Sequence, residues 1–185
     1  MAPANPIEAL LNEHSYIIKV VKALEVIGHD IEAQATIDEA LLSRIIAFMR
    51  EFTDVYHHAR EEKLLFPIIV RDCPPEIDNL VSTLLDEHNR GRNLVKLLEK
   101  GIERSKSDFA IGSEVISAAI NGITGLYPKH ISQENDMLYP MAEKLLAAGE
   151  LDCLWEDFEA KGAYTGIHEK HKAFALDLEK RFGKL

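Results

Sequence analysis

One arrangement of side chains is written twice in this chain, once in each half, and such a repeat constrains fold and site together. The first copy is Leu10-Leu11-Asn12-Glu13-His14, followed 43 residues after its histidine by His57-x-x-x-Glu61-x-x-x-Leu65-Phe66-Pro67. The second is Leu84-Leu85-Asp86-Glu87-His88, followed 42 residues after its histidine by His130-x-x-x-Glu134-x-x-x-Leu138-Tyr139-Pro140. The shared positions are the metal-capable ones. His14, His57, Glu61, His88, His130 and Glu134 therefore read as a pseudo-twofold dinuclear metal centre. HxxxE on a helix also arises as an exposed ion pair, and one copy alone would favour that. Two copies with matching flanks favour metal, since four of the eight histidines fall at repeat-matched positions. His29 and His58 read as packed or solvated residues.

Helical periodicity runs through the chain, and no alternating strand pattern interrupts it. Asn5 as N-cap, Pro6 at the first helical position and Glu8 three residues after the cap predict where a first helix starts, and Gly28 suits its stop. A second helix is predicted over about 38–70, ended by Arg71-Asp72-Cys73-Pro74-Pro75. A third is predicted over about 77–105, and a fourth over about 113–148, ended by Gly149. Two shorter helices, about 151–161 and 167–182, are separated at Gly162 and Gly166, with Trp155 and Phe158 expected to dock the tail. Pro67 and Pro140, each six residues past its glutamate, predict kinks.

Residues four apart share one helix face, so His57 projects with Glu61 and His130 with Glu134. At a rise of about 1.5 Å per residue, the offsets of these positions from their helix ends match across antiparallel hairpins to within a turn or two. An up-down-up-down four-helix bundle brings all six to one layer. The expected fold is all-α, one domain over residues 1–185. It has the bundle over about 6–148 and a helical extension over about 150–185.

The formal net charge of −10 argues against nucleic acid or an anionic membrane as partner. No apolar run is expected to reach the roughly 18 residues of a membrane span. The first six residues lack the basic and apolar regions of a signal peptide. Cys73 and Cys153 share no short spacing, as in a reducing compartment. A cytoplasmic protein is expected.

The two EH elements at His14 and His88, with the HxxxE elements His57–Glu61 and His130–Glu134, resemble the hemerythrin-like, or HHE cation-binding, family. The resemblance covers about residues 6–148, and the tail is similar to the extra C-terminal helices of longer members. It implies a four-helix bundle with a non-haem di-iron centre. Oxygen-carrying members have HxxxH on the third helix and HxxxxD on the fourth. Here Arg92 and Asn135 occupy those positions, so the chain resembles the symmetric four-histidine, two-glutamate members. Those include proteins implicated in repairing iron–sulfur clusters after nitrosative stress.

Imidazole and carboxylate suit iron, with manganese or zinc as substitutes. Two histidines, two bridging glutamates and an oxo or hydroxo bridge leave one open position on each iron, for dioxygen, nitric oxide or peroxide. A binding or sensing protein is expected first. A di-iron enzyme reducing nitric oxide or peroxide, or repairing iron–sulfur centres, is the alternative and needs an electron-donor protein. His168-Glu169-Lys170-His171 is not HExxH and reads as a surface stretch, His168 being the one residue there with a route to the metals. Tyr56 and Tyr127 flank ligand histidines, as hydrogen-bond donors or as packing. Glu62 is expected to face solvent.

Overall fold

The computed structural model describes residues 5–34, 36–72, 74–160 and 165–183, and every regular element among them is helical. Cys73 and the break at Gly162 lie outside the described residues. Helix α1 spans Pro6–Gln34. Helix α2 covers residues 39–72 in successive stretches: α-helical Glu39–Phe48, π-helical Met49–His58 and Glu61–Leu65, then α-helical Phe66–Asp72. Helix α3 is Glu76–Ser105. Helix α4 runs Phe109–Leu145, with π-helical Glu134–Leu138 between α-helical Phe109–Gln133 and Tyr139–Leu145. Helices α5 and α6 are Ala148–Ala160 and Thr165–Phe182.

Short polar side chains set the helix starts. Asn5 accepts from the Ile7 amide at 2.8 Å, Asp38 from Leu41 at 2.9 Å and Asp108 from Ile111 at 3.2 Å. Such a cap is worth about 1 kcal/mol, and the one at Asp108 starts α4 earlier than its apolar stripe suggests. Two glycines do not end their helices. Gly28 lies inside α1 against Ile120, because Ile27 and Ile31 carry the buried stripe onward, and Gly149 lies inside α5.

The prolines act through the turn before them. The Phe66 amide bonds to the Glu61 carbonyl, and the Tyr139 amide to the Glu134 carbonyl, five residues back in each case. A proline clashes with the carbonyl four residues before it. The wider i→i+5 turn moves that carbonyl aside. Each π turn thus begins at a repeated glutamate, a placement common at functional sites.

Contacts between neighbouring helices run in opposite order along their sequences, as an up-down-up-down bundle requires. Glu13 meets Arg60 and Tyr16 meets Phe52 between α1 and α2. Arg50 meets Glu99 and Glu62 meets His88 between α2 and α3. Glu87 meets His130 and Gly101 meets Ile116 between α3 and α4. His14 meets Asn135 and Gly28 meets Ile120 between α1 and α4. At the α3–α4 turn a Cβ on Gly112 would stand 2.3 Å from the Ser105 backbone, so only glycine allows that approach.

The core is divided along the bundle axis. One apolar cluster gathers Val20, Leu24, Leu42, Ile45, Phe48, Phe52, Leu98, Ile116 and Ile123. The other gathers Ile7, Leu10, Leu65, Phe66, Leu84, Leu138 and Tyr139. On α1, α2 and α3 the repeated histidines and glutamates lie in sequence between the two clusters, and on α4 His130 and Glu134 flank Ile131 of the first and precede Leu138 of the second, so that all six form a buried polar layer. Helix α6 covers the first cluster with Phe174, Ala175 and Leu178, and α5 covers the second with Leu154 and Phe158, while Trp155 is only half-buried. Contrary to expectation, α4 is long and apolar enough by composition to cross a membrane. It packs against α1 and α3 here, and it carries buried His130 and Glu134.

Candidate metal centre

All six repeated residues are buried in one layer. His14, His57, Glu61 and Glu134 present ligand atoms within 4.8 Å of one another. The Glu61 Oε2 atom lies 3.5 Å from both His57 Nε2 and His88 Nε2. The two Glu134 oxygens reach three histidines: Oε2 is 3.1 Å from His14 Nε2 and 3.3 Å from His130 Nε2, and Oε1 is 3.6 Å from His88 Nε2. Both carboxylates therefore stand between the pair His14/His57 and the pair His88/His130. The rings of each pair meet edge to face, with centroids 4.5 and 4.8 Å apart.

The outward nitrogen of each ring is already taken. His14 Nδ1 meets the Asn135 side-chain oxygen at 2.7 Å, and His57 Nδ1 meets Glu13 at 2.9 Å. His88 Nδ1 meets Glu62 at 2.8 Å and His130 Nδ1 meets Glu87 at 2.9 Å. With an oxygen acceptor as partner, each Nδ1 carries the proton, and in the neutral ring the Nε2 lone pair then faces inward. Oriented imidazoles of this kind are what metal sites use. The Nε2 atoms of His88 and His130 lie 3.1 Å apart, an approach that needs a cation or a proton between them.

These partners obey the repeat. The glutamate before each first histidine, Glu13 or Glu87, holds the second histidine of its own half. The residue after each repeated glutamate, Glu62 or Asn135, holds the first histidine of the other half. Glu62 is thus not a solvent-facing residue: the adjacent π turn keeps it toward α3, where it binds His88 and Arg92. Arg92 in turn donates to Asp54 at 2.7 Å. Losing such an outer partner costs about 10–100-fold in metal affinity. Glu62→Ala is expected to weaken metal binding in that range, measured by competition with a calibrated chelator. Wild-type affinity would remove Glu62 from the centre.

The inward atoms are not satisfied by protein. His57 Nε2, Glu61 Oε2 and both Glu134 oxygens are buried without a hydrogen bond. Unpaired buried carboxylates are costly, so this donor set fits a cation. Burial, and then the neighbouring Glu134 charge, push the Glu61 carboxyl well above its usual range. Burial also holds His57 and His58 well below the usual histidine value, keeping them in the neutral form that metals bind.

Phe66 and Tyr139 occupy equivalent positions and stack on His88 and His14, at 5.9 and 5.5 Å. The Tyr139 hydroxyl donates to Glu61 Oε1 at 2.6 Å and lies 3.5 Å from His14 Nε2. Phe66 has no such group, so the halves differ chemically here. Tyr56 lies under the Arg60 guanidinium at 3.9 Å, and Tyr127 packs beside His58 and His130. Among the described residues neither tyrosine hydroxyl bonds a histidine.

His29 is exposed, as expected. His168 is half-buried among Tyr16, Phe52 and Tyr56 and is outside the metal-capable groups. His171 is buried rather than a surface residue, bonded to Glu51 at 2.9 Å under Phe48. His58 is buried too, but in the centre itself, grouped with His88 and His130. It also lines a cavity of about 160 Å³ with Met49, Arg50, Asp54, Arg92 and Tyr127.

No curated protein matches the chain. The family model for the hemerythrin HHE cation-binding domain matches residues 5–142, a span containing all four bundle helices except the last turn of α4. With three quarters of its length matched and its histidines and glutamates gathered into groups able to hold metal, the chain belongs to the hemerythrin HHE cation-binding family.

Proposed function

We propose that this is a non-haem di-iron protein that binds or senses a small ligand, dioxygen or nitric oxide, or iron itself. His14 and His57 would hold one metal and His88 and His130 the other, or the pairs would cross, with Glu61 and Glu134 shared between them. The observation that carries this reading is the convergence of four Nε2 lone pairs on two buried carboxylates, with every Nδ1 committed elsewhere. Bound iron would supply a redox-active centre that accepts diatomic ligands. The protein's part is to fix the imidazole tautomers, hold the carboxylates between the pairs and shield the layer with apolar clusters on both sides. Manganese or zinc suit the same donors.

Anaerobic reconstitution with Fe(II), followed by elemental analysis, tests the assignment. About two metals per chain are expected, as in carboxylate-bridged two-metal sites. One metal or none ends the dinuclear reading. The enzymatic alternative draws support from the cavity beside His58, which has room for a small molecule. Steady consumption of nitric oxide or peroxide by the iron-loaded protein and a reductant would favour it over binding alone.

A further inference from the structure

The cavity of about 160 Å³ beside His58 carries polar side chains that the packing of the bundle does not require. Arg50, Asp54 and His58 line it from α2, Arg92 and Lys96 from α3, and Tyr127 from α4. The repeat matches His57 to His130 and His88 to His14, so Arg50, Asp54, His58 and Arg92 are matched to Ile123, Tyr127, Ile131 and Ile18. Ile123, Tyr127 and Ile131 are buried in the first apolar cluster, and Ile18 packs against it. The same place in the other half is thus closed with apolar side chains. Polar groups drawn into a helix interface are costly unless something partners them.

The room for them has a physical cause. Arg50, Asp54 and His58 are four residues apart and share one face of α2. All three fall within π-helical Met49–His58, whose turns are wider than those of an α-helix. The matched stretch of α4 is α-helical. On α3, Gly91 clears the Tyr127 hydroxyl, since a Cβ there would stand 2.8 Å from it.

Most of the charge around the cavity is already balanced. Arg92 donates to Asp54, Asn89 and Glu62, and Arg50 to both oxygens of Glu99. What remains is a set of donors. Lys96 is exposed at the rim and, among the described residues, pairs with no carboxylate. The buried Tyr127 has a hydroxyl that makes no hydrogen bond among the described residues. His58 Nδ1 is buried without a partner, 3.7 Å from Asp54, too far for a hydrogen bond. An ammonium, a hydroxyl and a neutral imidazole with one N–H surround a space the size of a few waters.

We propose that this cavity binds a small oxyanion of the size of nitrite, bicarbonate or phosphate, held by Lys96 at the rim and by Tyr127 and His58 within. The His58 ring lies flat on His88, with centroids 3.7 Å apart, and forms the wall between this site and the metal-capable layer. The site goes beyond the dinuclear reading and needs no metal to be filled. A formal net charge of −10 repels anions from the surface at large, so affinity has to come from these local groups.

Isothermal titration calorimetry with sodium nitrite, bicarbonate or phosphate, at constant ionic strength in chloride, tests this on the metal-free and the iron-loaded protein. One anion is expected to bind per chain, to both forms alike and without changing the visible absorption of the iron-loaded form. The tightest of the three identifies the oxyanion. Lys96→Met and Tyr127→Phe should each weaken binding by about tenfold, the loss of one hydrogen bond to a charged group, while melting like the wild type. Lys22→Met, at the position matched to Lys96 in the other half, should leave binding unchanged. Failure of all three anions to bind would overturn the proposal. So would wild-type affinity in either cavity variant, or an equal loss in Lys22→Met, which would mean general surface charge. Binding to the iron-loaded form alone, with a shifted absorption, would put the anion on the metals and overturn it as well.

Discussion

Glu134→Ala is expected to cost the protein at least one of its metals and to abolish metal-dependent stabilisation. Its two oxygens lie within 3.6 Å of His14, His88 and His130, so among the described residues no other single side chain reaches as many of the proposed ligands. Burial pushes this carboxyl up, but His130, His14 and His88 together hold it well below its usual range, so it is anionic where a cation would sit. A metal present at a thousand times its dissociation constant stabilises the folded state by about 4 kcal/mol. For a chain of this size that is a melting-temperature rise on the order of 10 °C. Calorimetry with and without Fe(II) should show such a rise in the wild type and little in the variant. A variant that retains two metals and the full rise would show that Glu134 is not a ligand.

Arg60→Ala is expected to lower the stability of the metal-free protein by about 3–5 kcal/mol, the usual cost of breaking one partner out of a buried ion pair. The Arg60 side chain is 10% exposed and donates to Glu13 at 2.5 Å, while Glu13 is 2% exposed and also holds His57. The guanidinium packs over Phe158 at 4.8 Å as well, tying the tail to the bundle. Burial raises the Glu13 carboxyl to about 8 even though Arg60 pulls it down. Without Arg60 that carboxyl is left uncompensated or takes a proton, and His57 then loses an anionic acceptor. Urea denaturation above that pH, where Glu13 is ionised in the folded wild type, measures the loss. The double variant Glu13→Gln, Arg60→Met should regain part of it, because no lone buried charge remains. A single variant as stable as the wild type would mean that the pair contributes nothing.

The outer partners were visible in the sequence only in hindsight. Glu13 and Glu87 precede repeat-matched histidines, and Glu62 and Asn135 follow repeat-matched glutamates, so each was marked by the same repeat that marked the ligands. What hid them was the assumption of uniform α-helix. By that geometry Glu62 turns toward solvent, whereas the π turn from Glu61 to Leu65 keeps it against α3. Arg60 carried no signal of its own, and the repeat marked Tyr139 only as the aromatic matching Phe66, since a buried guanidinium and a tyrosine hydroxyl are identified by partners on other helices.

The sequence by itself determined the helical class, the order of the helices and the shared level of His14, His57, Glu61, His88, His130 and Glu134. Spacing along a helix converts directly into rise and angle, and a repeated spacing repeats the geometry. Tertiary structure alone decided which group meets which across helices. It gave each histidine its tautomer through Glu13, Glu62, Glu87 and Asn135, placed the Tyr139 hydroxyl on Glu61 and brought His58 to His88 and His130. Those contacts depend on how four helices pack and where their turns widen, and a change of one residue in a turn redirects every side chain beyond it.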